Sequence, residues 1–303
     1  SFEGSTDNNV VYGLDLSSGR EIHGAGVFKD PSAPPDERYK LVCMLREGMG
    51  GAVSPDGLRW KALDQLLVPG YLSDTPNVAR FDTEKGRYVG YFRGWSGRSQ
   101  NKRGAHGRRA IAYAETDRFE SWPVPQTIVA PNVNDGPDTD IYTNSYAPWP
   151  DAPDAHLMFP GYYQRIRDVR EVHLLTSRDG IDWHRPTSEP IIPCGEPGSV
   201  WGEGRWLAGT GLVSFRPGEG SLPVRPQSRS HNQYQFPASP PKGGLCLATW
   251  REDGFTSLEA EAEGGCSTMP IVFSGGRLEI NAWTRFGGEI RIELVDPSGE
   301  TIG

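Results

Sequence analysis

The sequence predicts an all-β fold built from several small antiparallel sheets, and three observations support this prediction. The 303 residues include 38 Gly, 26 Pro and 9 Trp, a composition rich in turn formers and in the large aromatic side chains that favour strands. No long segment places apolar residues at the period of an amphipathic helix. A short turn motif also recurs along the chain, as expected of a repeat architecture.

The recurring motif is clearest at residues 177–183, which read Ser-Arg-Asp-Gly-Ile-Asp-Trp. Residues 54–60 repeat it closely, residues 115–122 repeat it with one residue added, and residues 251–258 are a weaker copy. Asp-Gly favours a tight turn with positive φ at Gly, and the following Trp covers the end of a small sheet. Unrelated hairpins are the alternative, but the β-rich run before each copy favours a β-propeller.

Four units follow this pattern along the chain. Each begins with a short apolar strand, turns at Gly, Pro or Asp, and returns as one or more longer strands. The predicted units cover 21–60, 73–122, 140–183 and 200–250. Residues 216–242, rich in Pro, Ser, Gln and Arg, are predicted to be a long irregular excursion from the fourth unit.

The pattern of apolar and polar residues changes after Phe255. Residues 269–273, 277–282 and 289–295 alternate apolar with polar side chains, which is typical of half-buried strands in an antiparallel sheet. We therefore predict two domains, a propeller at 1–254 and part of a β-sandwich at 255–303.

Charge and cysteine content restrict the class of partner. A net charge of −8 argues against nucleic acid and anionic membranes as partners. No apolar run is long enough to span a bilayer, and the first residues lack the pattern of a signal peptide. The four Cys have no C-x-x-C spacing, which argues against a zinc site. The oligomeric state is left open.

The units resemble a known group of enzymes. Phe28-Lys29-Asp30-Pro31, Glu37-Arg38-Tyr39-Lys40, the closing Ser-x-Asp-Gly-x-x-Trp and an attached sandwich resemble the five-bladed propeller glycoside hydrolases, which include the β-fructosidases and the arabinofuranosidase and xylosidase families. The resemblance implies a glycosidase acting on an oligosaccharide or polysaccharide without a required cofactor, although Ca²⁺ can bind in such funnels. A substrate of this kind favours a secreted or periplasmic location.

The resemblance also sets expectations for completeness and for substrate. Five blades are typical of the group, whereas four are visible here, so we expect a missing N-terminal segment and an irregular closure beside residues 1–12. A fifth blade assembled from the two ends of the chain is the alternative. The invertase-like signatures are not intact, since Asp7-Asn8-Asn9 matches the first of them loosely and Gly204 follows Glu203. The likeness therefore indicates fold more than substrate.

Candidate catalytic residues lie where the first strand of each unit begins, because those strand starts converge on the central funnel of a propeller. His23, Asp74, Asp140 and Glu203 occupy these places. Glycoside hydrolysis needs one protonated carboxyl and one ionised carboxylate. We expect Asp74 and Asp140 to act as base or nucleophile and as transition-state stabiliser, with Glu203 as the acid. The alternatives are turn residues for the Asp, and for Glu203 an exposed loop residue paired with Arg205.

Aromatic and polar side chains near these positions are candidate sugar ligands, with His23 as a hydrogen-bonding neighbour. The others are Arg93, Trp95, Tyr142, Asn144, Tyr162 and Trp201. Filling the space between blades is the alternative for the aromatics, and a core position is the alternative for His23. The basic run at 98–109 favours a solvated loop, with contact to an acidic sugar as its alternative. A non-catalytic propeller that binds carbohydrate or protein is the second hypothesis for the whole chain.

Overall fold

The computed structural model describes residues 5, 7–13, 22–74, 76–97, 107–150, 152–196, 202–214, 216–232, 243–252, 254–272 and 274–302. The prediction of an all-β, propeller-type fold is confirmed, with antiparallel sheets following one another and no helix among these residues. Within the same residues, nothing helical has the length and apolarity needed to cross a membrane. The chain divides into two compact units, 1–249 and 250–303.

The first two sheets are regular four-stranded blades in which each strand pairs with the next along the chain. The first sheet also carries a short fifth strand paired with its third. Its strands are β1 (His23–Lys29), β2 (Tyr39–Leu45), β3 (Gly48–Ser54), β4 (Lys61–Ala62) and β5 (Val68–Pro69). The second sheet comprises β6 (Val78–Asp82), β7 (Arg87–Trp95), β8 (Arg109–Thr116) and β9 (Gln126–Val129).

In the third blade, too, each strand pairs antiparallel with the next along the chain, but each of its first three strands is split into two pieces. Ser145, with φ of 46°, interrupts the first of these long strands. The pieces are β10 (Thr139–Ile141), β11 (Tyr146–Pro148), β12 (His156–Met158), β13 (Gly161–Gln164), β14 (Val169–Val172) and β15 (Leu175–Ser177). Bridges from Val172 to Ile192 and from Thr176 to His184 supply its outer edge.

The fourth blade is the least regular. It consists of β16 (Arg205–Ala208), β17 (Glu219–Gln227) and β18 (Cys246–Arg251). It joins the third blade through a single parallel bridge between Arg170 and Arg205. The segment 216–242, predicted to be irregular, thus contains strand β17 in its first half. The strand forms there because side chains such as Leu222 and Val224 are buried.

Strand β7 shows how neighbouring blades form the core. Tyr88 and Phe92 lie in one buried cluster with residues of the first blade, whereas Val89 and Tyr91 lie in a second cluster with residues of the third. Both faces of the second blade are therefore covered by apolar side chains. Accordingly, seven of the nine residues of β7 are buried.

The Asp-Gly motif forms the same hydrogen-bonded turn in two blades. Asp179 Oδ1 accepts from the backbone N–H of Ile181 and Asp182 at 2.8 Å, and Trp183 Nε1 donates to Gly180 O at 3.1 Å. Residues 54–60 repeat each of these bonds. The repeat predicted from the sequence is therefore a structural repeat.

The two turn glycines offer a matched test of packing. Gly180 and Gly57 have φ of 75° and 78°, which an Ala side chain strains by about 1 kcal/mol in either place. A Cβ at Gly180 would also lie 2.6 Å from the hydroxyl oxygen of buried Tyr91, whereas at Gly57 the nearest atom is 4.0 Å away. Gly180→Ala should therefore reduce the free energy of unfolding by about 2–4 kcal/mol and Gly57→Ala by about 1. Urea denaturation measures both, and equal losses would contradict the packing argument.

The second unit, 250–303, has little regular structure. Its described residues include the last residues of β18 and one bridge, from Val295 to Thr301. The described part of the three segments predicted as strands forms no ladder. Their apolar side chains are exposed, with Met269 at 81% and Leu278 at 63%. Alternation marks a half-buried strand only when a partner sheet covers one face. The sandwich assignment stays a prediction.

Candidate active site

The first strands of the first two blades approach each other closely. A Cβ on Gly24 would lie 2.0 Å from Asp74 O, and one on Gly26 would lie 1.9 Å from Asn77 O. Asn77 Nδ2 donates to Gly24 O at 2.8 Å and to Asp74 O at 3.0 Å. Glycine is therefore required in β1, because only a bare backbone allows the segment before β6 to come so near. This approach places His23 beside Asp74.

His23, Asp74 and Arg93 form a hydrogen-bonded chain across two blades. His23 Nε2 lies 2.6 Å from Asp74 Oδ1, and Arg93 Nη1 donates to Asp74 Oδ2 at 3.1 Å. The side chain of Arg93 is 2% exposed, that of Asp74 32% and that of His23 53%. The Asp74 carboxylate is therefore held by the buried guanidinium of Arg93 and remains accessible to solvent.

Arg93 extends this chain to the third blade. Its Nη2 donates to Tyr142 O at 2.7 Å, and its guanidinium lies 4.4 Å from the centre of the Tyr142 ring. Trp95, at the end of the same strand β7, lies 5.4 Å from the guanidinium of Arg109. Four of the residues predicted from the sequence, His23, Asp74, Arg93 and Tyr142, are thus in direct contact.

Asp140 is fully buried and all its acceptor positions are used. Oδ1 accepts from Arg109 N at 2.9 Å and Arg165 Nη2 at 2.5 Å, and Oδ2 accepts from Arg109 Nη1 at 2.7 Å and Arg165 Nε at 3.0 Å. Burial raises the pKa of Asp140, but the hydrogen bonds from Arg165 and Arg109 outweigh it and lower the pKa below its ordinary value. Such a carboxylate positions arginines. The geometry does not favour the catalytic role expected from the sequence.

Asn144 and Tyr162 are also occupied within the fold. Asn144 Nδ2 donates to Pro76 O at 3.0 Å and Tyr91 O at 3.2 Å, while its Oδ1 accepts from Tyr146 N at 3.1 Å. Tyr162 is 5% exposed and its ring lies 4.1 Å from that of His173. Both residues support the site from within the core and are not placed to contact a sugar.

Glu203 lies just before β16 and is half-buried. The preceding Gly202 has φ of 71°, and a Cβ there would meet the Trp206 indole at 2.3 Å. Trp206 in turn donates from Nε1 to Pro193 O at 3.0 Å. Trp206 therefore packs against the residue before Glu203, while Trp201 lies outside the described residues.

The sequence interpretation missed His231 and the residues that hold it. Asp168, with φ of 56°, accepts from Tyr163 Oη at 2.8 Å and from Ser230 Oγ at 2.5 Å, and Asn232 N lies 2.9 Å away. This clamp holds His231 against Tyr142, with ring centres 4.8 Å apart. No recurring pattern marks the segment, which lies inside the predicted excursion.

The protonation state of His231 follows from its contacts. Its Nδ1 lies 3.1 Å from Arg205 Nη1, which can only donate, so Nδ1 accepts and Nε2 carries the proton. Burial and the charges of Arg170, Arg205 and Arg109 lower the pKa of His231 to about 4. At neutral pH it is thus an uncharged hydrogen-bond donor.

Two histidines should make stability depend on pH. Burial, with the charge of Arg185, lowers the pKa of His173 to about 4, and that of His231 is also about 4. Unfolded histidine titrates near 6.5, so the unfolded chain binds protons first as the pH falls. The free energy of unfolding should therefore decrease between pH 6.5 and 4, by up to about 3 kcal/mol for each histidine.

Urea unfolding at pH 7 and pH 4.5 measures this loss. His173→Gln should reduce the difference between the two pH values, whereas His184→Gln, at an exposed position, should leave it unchanged. Comparing the two pH values removes the direct cost of each substitution. An undiminished difference in His173→Gln would show that His173 does not stay neutral in the fold.

The described residues do not fit a calcium ion. Among them no three His, Cys, Asp or Glu side chains gather as metal ligands would. The oxygens of Asp140 and Asp74 face guanidinium and imidazole groups instead of an open centre.

Several solved structures that are similar to this chain are glycoside hydrolases. One is a glycoside hydrolase with 14% identity and a TM-score of 0.47, covering 76% of this chain and 71% of its own. An endo-1,4-β-xylanase from Bacteroides thetaiotaomicron has 11% identity and a TM-score of 0.47, covering 75% and 76%. Fructan 1-exohydrolase IIa from Cichorium intybus has 13% identity and a TM-score of 0.42, covering 68% and 39%.

No family model matches the chain, and no curated protein matches it either. At the identities just given, the solved structures assign neither a substrate nor a residue role to this protein.

Proposed function

We propose that this protein is a glycoside hydrolase that cleaves a glycosidic bond of an oligosaccharide or polysaccharide. The observation that carries the proposal is the Asp74 carboxylate, which is 32% exposed and is held at both oxygens by His23 and Arg93. It lies where the first strands of the first two blades meet, within reach of Tyr142 of the third through Arg93. A rigid, accessible carboxylate is what attack on an anomeric carbon or activation of water requires.

Asp74 and Glu203 have separate roles in this proposal. Asp74 supplies the nucleophile or base, and its two fixed oxygens keep it aimed without rotation. Glu203, half-buried beside Trp206 and preceded by Gly202, donates the proton to the leaving oxygen. Asp140 does not react, and it holds Arg109 and Arg165 in place. His231 contributes a neutral donor next to Tyr142.

A non-catalytic carbohydrate-binding propeller is the second candidate function. The full occupation of Asp140 favours it, because one of the three carboxylates expected to react is unavailable. The binding module would still use Tyr142, Trp95 and the arginines around them to hold a glycan.

A substrate screen separates the two candidates. Aryl glycosides and plant or algal oligosaccharides are incubated with the protein, and released reducing ends are measured beside equilibrium binding of the same glycans. Release from at least one substrate, absent in Glu203→Gln, supports the hydrolase. Binding of a glycan without any release supports the binding module and contradicts the hydrolase.

A further inference from the structure

Tyr142 is surrounded by three guanidinium groups. Those of Arg93, Arg109 and Arg170 lie 4.4, 4.7 and 5.0 Å from its ring centre. The ring is buried, with 7% exposed, and the three arginines come from strands of two different blades. We call Tyr142 and these three residues the arginine cluster. Guanidinium groups brought this close repel one another, so each needs a stabilising contact.

Arg109 is the accessible member of the cluster. Its side chain is 25% exposed and lies over Trp95 as well as Tyr142. It shares the single charge of Asp140 with Arg165, so these three side chains carry one net positive charge. Its Nε has no acceptor among the described residues but is buried, so an incoming anion would meet the exposed part of the side chain. A partly desolvated cation gains more from a nearby anion than a solvated one does.

The environment of His231 gives independent support for a positive potential here. Its ring contacts both Tyr142 and Tyr163, with centres 4.8 and 5.0 Å apart. After burial, the charges that lower its pKa are those of Arg170, Arg205 and Arg109, and they outweigh the opposing charge of Asp168. Cationic groups therefore dominate the field at this end of the third blade, although the whole chain is acidic.

We propose that the arginine cluster binds an oxyanion carried by the glycan, namely a carboxylate, sulfate or phosphate group. The choice of a glycan as the carrier rests on the proposed function. Guanidinium groups match the geometry of such anions and pair with them through two parallel hydrogen bonds. Asp140 holds Arg109 in one orientation, and the Trp95 and Tyr142 rings hold its plane. The substrate class is therefore acidic glycans, with the charged group held at Arg109.

Binding measurements on the intact chain test this proposal. Glucuronate, glucose 6-sulfate, glucose 6-phosphate, glucose, inorganic sulfate and inorganic phosphate are titrated separately by calorimetry. At least one charged sugar should bind about tenfold or more tightly than glucose, and Arg109→Gln should weaken that binding by about tenfold or more. Arg109→Lys should restore part of it, and Arg118→Gln, whose side chain is 76% exposed in the second blade, should bind as the wild type does.

Two results would overturn the proposal. Equal affinity for charged sugars and glucose removes the anion preference, and binding of inorganic sulfate or phosphate alone assigns the cluster to a free anion. Both can be obtained with the wild type even where Arg109→Gln does not fold. Neither result bears on cleavage of neutral glycans. Conversely, tight binding of a charged sugar without any turnover would overturn the proposed hydrolase and leave this inference standing.

Discussion

Asp74→Asn should reduce turnover of a responsive glycan about 10³-fold, because an amide can neither attack nor accept a proton. Asn keeps the size of the side chain, so its oxygen can still face Arg93 or His23. The buried Arg93 loses its charged partner but keeps its hydrogen bond to Tyr142 O. We therefore expect a loss of only about 1–2 kcal/mol in the free energy of unfolding. Turnover and urea unfolding are measured on the same preparation.

Asp117→Asn is the matched control for this prediction. Asp117 belongs to the same blade, is 73% exposed and pairs with Arg87 at 3.1 Å, so its loss should leave turnover unchanged. A folded Asp74→Asn protein with wild-type turnover would remove Asp74 from the chemistry. If Asp74→Asn were active and Glu203→Gln inactive, a carboxylate other than Asp74 would have to be the nucleophile or base.

The blade pattern could be predicted because its cause is local. In the turn at 177–183, Ser177, Asp179 and Gly180 bond to backbone and side-chain atoms two or three residues away. A motif whose hydrogen bonds close within itself carries its structure in its own sequence. The position of His23 and Asp74 near the starts of the first strands followed from this repeat.

The partners of the site residues could not be predicted, because they lie far apart in the chain. Arg109 and Asp140 are separated by 31 residues, and Asp168 and Ser230 by 62. A single sequence gives the position of a buried Asp but not the side chains that will surround it. Asp140 therefore looked equivalent to Asp74, although one carboxylate is saturated by arginines and the other reaches solvent.

The second unit illustrates a different limit of prediction. Residues 289–295 alternate as a strand would, yet Ile290, Ile292 and Leu294 are 48%, 53% and 45% exposed and no ladder forms. Alternation reports which face is apolar, whereas pairing depends on a neighbouring strand and packing on an opposing surface. The pattern therefore predicts that the segment could form a strand, but not which strand would pair with it.

Asp140→Asn should reduce the free energy of unfolding by about 3 kcal/mol, more than Asp74→Asn does. The new amide would turn an N–H group toward donors of Arg109 or Arg165, and a fully buried position admits no water to relieve the clash. Asp154→Asn is the matched control, since Asp154 pairs with Arg178 at 3.2 Å but is 70% exposed. It should cost less than about 1 kcal/mol. Equal small losses in urea unfolding would show that Asp140 does not hold Arg109 and Arg165 in place.

If Asp140 does hold them, Asp140→Asn should also weaken binding of the preferred charged sugar, because Arg109 then loses the bond that fixes its orientation.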